Sequence, residues 1–319
     1  EILDYSKLEA SKVELDESRF DIHELLEETC YLHSEPASAK NLTLTCSLDP
    51  ETPQFVIADG TKIRQVLNNL ISNAIKFTSS GHIDVTASAK LNPRDEDKAL
   101  FTVRVKDDGI GMDEETQKRV FEPFTQADAS TTREFGGTGL GLSISTQYID
   151  LMGGDLSISS KVSSGTEVSV LLPLSIDKVL EAPEKTSRKA DSRTATIIAK
   201  DEIVRTSIAT VLARLGFRSE NLQLFDSASD FPKDSDVYLV DEAAAEEFTA
   251  MLDGQNKGRG FHVLVSKSGE IGLSMKSIFQ SIVRLPITTN QIVELIDSDC
   301  ISRYSQRSAE GSQSILYQP

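Results

Sequence analysis

Residues Asp107 to Leu142 read DDGIGMDEETQKRVFEPFTQADASTTREFGGTGLGL, and this stretch decides what the chain folds into. Two glycine clusters, Gly109/Gly111 and Gly136/Gly137/Gly139/Gly141, enclose a polar segment with one aromatic knot, Phe121-Glu122-Pro123-Phe124. Glycines at this density let backbone N–H groups approach a ligand closely. The second cluster runs into an apolar-periodic segment (Leu142, Ile144, Ile149, Leu151), so its N–H groups fall at a helix N-terminus, a site for phosphate. The polar segment between the clusters is too long for a plain connection and is expected to form a lid over a ligand.

Composition narrows the classes of partner. A chain of 319 residues with 39% hydrophobic and 26% charged positions has room for two soluble domains. Tryptophan is absent and aromatics are 6%, which leaves no stacking platform for single-stranded nucleic acid. A net charge of −17 opposes any phosphate-backbone partner, so nucleic acid is excluded. Cys30, Cys46 and Cys300 are isolated and lack metal-ligand spacing, which fits a reducing compartment. No stretch reads as a membrane span or signal peptide. The chain opens on Glu1 inside an amphipathic pattern. A cytoplasmic fragment is therefore expected, with an anchor or sensor upstream left open.

Upstream of the glycine stretch, Ile2, Leu3, Tyr5 and Leu8 have helical spacing to about Val13. Asp21 with Glu24 gives a capping-box signal for a helix to about Ala39. His23 and His33 lie on it and read as surface or half-buried side chains. Leu42–Cys46 alternates as a strand, and the Pro50/Pro53 connection leads to Val56 and Ile57. A helix from Gly60 to Thr78 has Ile63, Val66, Leu67, Leu70, Ile71, Ala74 and Ile75 on one wide face. Asn69, Asn73, Lys76 and Phe77 share another. Two asparagines four apart suit either a solvated face or Mg²⁺, which takes hard oxygen ligands. Ile83–Ala87 and Leu100–Val105 are strands around a polar loop, Asn92–Lys98, and Asp155–Ser159 and Thr166–Pro173 are two more around Ser163-Ser164-Gly165. This order implies an α+β two-layer sandwich.

From Asp177 to Arg193 the composition shifts to that of a linker. Beyond it, strands at Thr196–Ala199, Val237–Val240, Val263–Val265 and Ile282–Leu285 alternate with helical segments at Ile203–Leu215, Glu242–Leu252, Ile271–Phe279 and Asn290–Ile296. That alternation implies a doubly wound α/β domain with a parallel sheet. The expected division is 1–18 a helix end, 19–176 the sandwich, 177–193 a linker, 194–299 the α/β domain and 300–319 a tail.

Four motifs in order, Asn69-Leu-Ile-Ser-Asn73-Ala-Ile-Lys76-Phe77-Thr78, Asp107-Asp-Gly109-Ile-Gly111, Phe121-Glu-Pro-Phe124 and Gly137-Thr-Gly139-Leu-Gly141-Leu142, resemble the catalytic ATP-binding domain of sensor histidine kinases, within the gyrase, heat-shock-chaperone and mismatch-repair ATPase fold. Gly165-Thr166 fits the same pattern, and the resemblance covers about Phe20 to Leu174. It implies ATP and Mg²⁺ as cofactors. Asn73 would bind Mg²⁺ with Asn69 nearby, Lys76 would bring charge to the phosphates, and Phe77 would line the base pocket. Asp107 would accept from the adenine amine, with Gly109 and Gly111 letting the backbone approach the base. Gly137, Thr138, Gly139, Leu140, Gly141 and Leu142 would turn N–H groups to the phosphates, and Arg133 would contact them from the lid. Phe121 and Phe124 would pack the lid on the body. An ATPase clamp of the chaperone type fits less well, because Lys76-Phe77 and the Phe121–Phe124 knot are kinase-type features.

Ile2–Glu9 resembles the end of a dimerisation and phosphoacceptor hairpin, which implies a homodimer and an acceptor histidine upstream of Glu1. None of His23, His33, His82 and His262 sits at the family's acceptor position. Residues 194–299 resemble a response-regulator receiver, with Asp241 at the acceptor position and Ser266 at the hydroxyl position. Ala199 and Lys200 then stand where the Mg²⁺-binding acidic pair belongs, and Leu285 where a lysine belongs. The expectation is a pseudo-receiver: a regulatory module with a protein or small-molecule ligand. The alternative is an active receiver using Asp241, with Asp201 and Glu202 as the acidic pair. A response regulator or further receiver domain is the expected downstream partner.

Overall fold

The computed structural model describes residues 2–10, 13–92, 95–125, 138–177, 193–229, 231–232, 234–252, 260–269 and 275–297, and divides the chain into two compact units, Glu1–Glu181 and Ala182–Pro319. Arg133, Gly136 and Gly137, with the rest of 126–137, lie outside the described residues. So do 178–192 of the expected linker and the whole expected tail, 300–319.

Unit 1 is one mixed sheet with helices packed on it. Its strands are β1 (Ser18–Asp21), β2 (Thr43–Leu48), β3 (Phe55–Ala58), β4 (His82–Asn92), β5 (Asp95–Asp107), β6 (Asp155–Ser160) and β7 (Thr166–Ile176). They run in the order β1-β3-β7-β5-β4-β2, with β6 also paired to β7, and only β2 and β4 are parallel. Its helices are α1 (Ile2–Glu9), α2 (Ile22–Leu32), α3 (Ser34–Ala39), α4 (Gly60–Phe77), α5 (Glu114–Arg119) and α6 (Gly141–Leu151).

The pleat explains the two layers. On β5, Ala99, Phe101, Val103 and Val105 are buried while Lys98, Leu100, Arg104 and Lys106 alternate with them on the exposed face. Phe101, Val103 and Val105 join Leu26, Ile71, Ile144 and Ile149 from the helices in one core. Burying each such aliphatic side chain stabilises the unit by about 1.5–3 kcal/mol.

Several boundaries differ from the sequence reading. The single helix expected to Ala39 is two, α2 and α3, broken at His33. Pro36 has no N–H for the Leu32 carbonyl, and its ring clashes with that carbonyl in a continuous helix. Asp21 caps α2 as expected, accepting from the backbone N–H of His23 and Glu24. The polar loop Asn92–Lys98 is shorter than expected, because Asn92 pairs with Asp95 and the hairpin continues to that point. The start of the expected lid is helical: Asp113 caps α5 by accepting from Thr116 N–H.

Unit 2 is a parallel five-stranded sheet. Its strands are β8 (Ala195–Ile198), β9 (Leu222–Phe225), β10 (Val237–Asp241), β11 (Phe261–Ser266) and β12 (Ser281–Arg284), in the order β12-β11-β10-β8-β9. Counted within the unit this is 5-4-3-1-2, a doubly wound order. Helices α7 (Glu202–Arg214) and α9 (Thr289–Asp297) share one core with Ile197, Leu239 and Val263. Helix α8 (Glu242–Leu252) packs on the other face with Ile198, Val240 and Leu264. Strand β9 carried no alternation that the sequence reading caught. The helix expected at Ile271–Phe279 is not present among its described residues, where Met275–Ile278 forms turns. Gly272 and the serines Ser274 and Ser277 make that stretch a poor helix former.

Candidate nucleotide site

The site is assembled where the end of β5, the α4 helix and the start of α6 meet. Asp107 ends β5 and is only 8% exposed. Burial pushes its carboxyl above the usual carboxylate range, against the pull of backbone N–H groups from Gly109 and Thr166. The Gly109 bond to Asp107 Oδ1 is 2.8 Å. A methyl group at Gly109 would stand 2.7 Å from both that oxygen and the Phe77 carbonyl oxygen, so the loop lies flush against the end of α4. Gly111 has φ +66°, and a Cβ there would overlap the Lys161 carbonyl. At both positions the structure requires glycine.

Helix α4 brings the polar groups. Asn73 Nδ2 donates to Asn69 Oδ1 at 3.2 Å, and Asn69 Nδ2 donates to Ser145 Oγ at 2.9 Å. This ties α4 to α6, and a Cβ on Gly141 would overlap Asn69 Oδ1. With its amide N–H on Asn69, Asn73 presents a carbonyl oxygen as its further group. Lys76 and Phe77 end the helix, with Lys76 Nζ 4.8 Å from the Phe77 ring centroid. Partial burial lowers the Lys76 ammonium from its ordinary value. The sequence reading missed Lys40, whose Nζ donates to the carbonyls of Ile75 (2.7 Å), Lys76 (3.1 Å) and Thr78 (3.5 Å). A cation on the last carbonyls of a helix is favourable, but a lone lysine in a turn gives no signal in sequence.

Gly139, φ +71°, accepts from Phe124 N–H at 3.0 Å, so the Phe121–Phe124 turn sits directly on the glycine loop. Phe124 is 65% exposed, and its ring meets Tyr5 of α1 edge-on at 5.8 Å. Thr138 Oγ1 accepts from Leu140 N–H, and Leu140 is fully buried as the residue before α6. Gly141 and Leu142 are the first residues of α6, which has no side-chain cap. Its first N–H groups therefore lack a cap at the end where anions are favoured.

The donor set fits a nucleotide with a divalent cation: a buried carboxylate that can accept, glycine cradles without room for a Cβ, an asparagine oxygen and an uncapped helix start. Of the expected site residues, Asn69, Asn73, Lys76, Phe77, Asp107, Gly109, Gly111, Thr138, Gly139, Leu140, Gly141 and Leu142 are on these adjoining elements. Among the described residues no group of three His, Cys, Asp or Glu side chains could hold a metal ion. Also among them, no helix is long and apolar enough to cross a membrane.

Comparison with known proteins places this geometry. Residues 58–176 match the model of the "Histidine kinase-, DNA gyrase B-, and HSP90-like ATPase" family. The chain is 40% identical over 185 residues to the sensor histidine kinase GacS of Pseudomonas protegens, covering 57% of this chain and 20% of that protein. It is 37% identical over 185 residues to the signal transduction histidine-protein kinase BarA of Escherichia coli, with the same coverages. It is 32% identical over 232 residues to the hybrid signal transduction histidine kinase K of Dictyostelium discoideum, covering 69% of this chain and 19% of that protein. The chain thus spans about a fifth of the length of these relatives. In fold it resembles full-length ShkA, crystallised in complex with AMPPNP, with a TM-score of 0.67 at 24% identity over 96% of this chain and 60% of that one. Residues 58–176 thus match the ATPase family, and over about 185 residues the chain is similar to sensor histidine kinases.

Proposed function

We propose that unit 1 binds ATP with Mg²⁺ and transfers the γ-phosphoryl group to a histidine on a helical hairpin outside these residues, in a homodimer formed through that hairpin. The carrying observation is the junction at Gly141: its side-chain space is filled by Asn69, so the uncapped α6 start and the Asn69–Asn73 pair lie together. In this reading Asp107 accepts from the adenine amine and the N–H groups from Gly139 to Leu142 hold phosphate oxygens. Asn73, with Asn69, holds Mg²⁺, which supplies neutralisation of charge on the phosphoryl oxygens. Phe77 lines the base and Lys76 adds a compact charge. Gly137 and Arg133 are assigned to the phosphates on the resemblance alone.

The γ-phosphorus–oxygen bond breaks, a phosphorus–nitrogen bond forms on the acceptor imidazole, and ADP leaves. The four histidines of the chain support an acceptor elsewhere. His23 Nε2 is at 3.0 Å from the Thr52 carbonyl, His33 Nε2 at 3.0 Å from Asn68 Oδ1, and His82 Nδ1 at 2.9 Å from Asp108. His262 is buried. The test supplies labelled ATP and a separate acceptor hairpin. Transfer that is lost in Asn73→Asp is expected, and absence of ATP binding by the unsubstituted chain would sink the proposal. The cytoplasm is the compartment this assignment requires, since ATP is the donor.

A second reading concerns unit 2, a receiver-like module that does not itself take phosphate. Asp241 ends β10 and Ser266 ends β11, the acceptor and hydroxyl positions. Asp241 accepts from Lys200 N–H at 3.1 Å and Ala244 N–H at 2.7 Å, while Ser266 Oγ donates to Glu242. Asp201, the rival acidic residue, is engaged as the cap of α7, accepting from Ile203 N–H at 2.9 Å. A lysine at position 200 and a buried Leu285 oppose divalent-cation binding. This supports a regulatory module that binds a protein or small molecule, with a separate receiver downstream. Kinase activity compared with and without residues 194–299 tests it, and identical activity under all conditions would remove the regulatory role.

A further inference from the structure

Ser160, at the end of β6, is the residue on which three backbone segments around Asp107 converge. Its hydroxyl accepts from Met112 N–H at 2.8 Å, donates to the Gly165 carbonyl at 2.9 Å and lies 2.9 Å from Thr166 Oγ1. Its backbone is gripped by Gln117 of α5: Gln117 Nε2 donates to Ser160 O at 2.9 Å, and Ser160 N–H donates to Gln117 Oε1 at 3.2 Å. The same Gln117 amide donates to Met112 O at 3.2 Å. Met112 closes the Asp107–Gly111 loop, whose Ile110 carbonyl accepts from Ser163 N–H at 2.7 Å. The loop and the 160–166 turn are therefore laced together from both ends.

The consequence for Asp107 follows from the turn. Gly165, φ +83°, presses its Cα against the Asp107 carbonyl so closely that any Cβ would overlap it. The next residue, Thr166, pairs with Asp107 across the sheet and gives its N–H to the Asp107 carboxylate. Oδ1 takes Gly109 N–H at 2.8 Å, and Thr166 N–H acts on the same carboxyl, so the 165–166 turn and the loop together set where it faces. Ser160 holds both the Gly165 carbonyl and the Thr166 hydroxyl, and so holds the residues that aim it.

We infer that Ser160 is a positioning residue for purine selection: by pinning Gly165 and Thr166 it aims the Asp107 carboxylate at the six-position of the base, favouring an amine over a carbonyl. This rests on the reading of unit 1 as an ATP site. A carboxylate can only accept, so a 6-amino purine donates to it, whereas a 6-oxo purine sets two acceptors against each other. Hydrogen bonds to a charged acceptor are among the stronger ones, so misaiming this one is expected to reduce the preference about tenfold.

The full chain would be titrated with ATP and with inosine triphosphate, which differ at that position, in the presence of Mg²⁺. Ser160→Ala is expected to reduce the ATP-to-inosine triphosphate preference about tenfold, and Ser160→Thr, which keeps the hydroxyl, to restore it. Equal losses for both nucleotides, or no change for either, would overturn the inference, since a purely structural role affects both alike. Should Ser160→Ala fail to fold, Gln117→Leu decides in its place: the preference falls if the clamp aims Asp107, and an unchanged preference overturns the inference. The unsubstituted chain and Asp107→Ala together separate the two levels. If the unsubstituted chain binds neither nucleotide, the nucleotide reading itself fails; if Asp107→Ala abolishes the preference while Ser160→Ala leaves it intact, the positioning role alone fails.

Discussion

Gly109→Ala is a small change with a definite structural cost. The new methyl would lie 2.7 Å from the Phe77 carbonyl oxygen and from Asp107 Oδ1, and 3.1 Å from the Phe77 carbonyl carbon. Carbon–oxygen contacts this short are not sustained, so the loop must move by roughly 0.7 Å to reach ordinary separations of about 3.4 Å. Because Phe77 O is backbone at the end of a packed helix, the loop moves rather than the helix. That motion stretches the 2.8 Å Gly109 N–H bond to Asp107 and the 3.3 Å Ile110 N–H bond to Phe77 O. Losing the first, a bond to a charged group, costs about 1.5–3 kcal/mol. Replacing glycine returns about 0.4–1 kcal/mol through the unfolded chain, leaving a net loss of about 1–2 kcal/mol. For a unit of this size that is a fall in Tm of about 2–8 °C. The N–H bond also holds the Asp107 carboxyl down, so its removal lets burial raise that group further. ATP affinity should drop about tenfold at neutral pH and show an acid limb at higher pH than in the unsubstituted chain. Calorimetric titration with ATP from pH 5 to 8, alongside thermal unfolding, measures all three effects. Gly153→Ala is the control: φ is +71° there, unlike at Gly109, and the nearest atom to a new Cβ is Pro173 Cγ at 3.8 Å. It should lose about 1–2 kcal/mol from backbone conformation and nothing in affinity. If Gly109→Ala binds ATP as tightly as Gly153→Ala does, the account of the loop is wrong.

Three further outcomes are expected. Burial pushes Asp108 up, but ring and backbone bonds from His82, aided by Lys106, outweigh it and leave the carboxyl below its usual range; its stabilising contribution is present above about pH 3.9 and is lost as pH falls through the lower folded value, so Asp108→Asn should flatten the acid dependence of unit 1 melting between roughly pH 2 and 5. His262 is held by burial at about 4, with Nδ1 3.1 Å from the Ile278 carbonyl and Nε2 buried without a partner among the described residues; the folded unit resists the proton that the unfolded chain takes up near pH 6.5, so unit 2 should lose about 3 kcal/mol on going from pH 7 to below pH 4, and His262→Phe should remove that loss as measured by urea unfolding. Restoring the missing charges with Ala199→Asp, Lys200→Asp and Leu285→Lys together should make Asp241 label with a small phosphoryl donor and Mg²⁺, dependent on Asp241 itself; labelling of the unsubstituted chain would overturn the pseudo-receiver reading.

What the sequence made legible depended on whether the cause was local. The α4 helix was visible because Ile63 to Ile75 recur at helical spacing, and the structure buries that face. The α2 cap was visible because Asp21 acts on residues two and three positions away. The break at His33 is equally local, set by Pro36, but the capping box and apolar spacing upstream read as one helix to about Ala39. Strand β9 was not legible: Leu222–Phe225 lies at the sheet edge with half-buried ends and exposed Gln223 and Leu224, so neither alternation nor a continuous apolar run marks it. At the site, the glycines and asparagines were readable because spacing constrains them. Lys40 was not, since it acts across 35 or more positions, nor was Ser160, whose tie to the Asp107 loop runs through Met112, 48 positions away.

The two buried aspartates show why position at a strand end does not fix chemistry. Asp107 and Asp241 each end a strand, each accept two backbone N–H groups, and each are pushed up by burial. Asp107 opens onto a loop whose glycines exclude side chains, so its unused lone pairs can meet a ligand. Asp241 is as buried as Asp107, but charged groups flank it: Lys200 lowers and Asp201 raises it electrostatically, and the adjacent Glu242 takes the Ser266 hydroxyl. A nucleophile needs its charge exposed to an approaching phosphorus and neutralised by a cation held alongside. An ammonium at position 200 repels that cation, and a carboxylate on Ser266 competes with the incoming phosphoryl oxygens. On the proposed assignments, a strand-end aspartate held by backbone N–H groups would recognise a base in one unit and would serve in the other only to fix the end of the sheet.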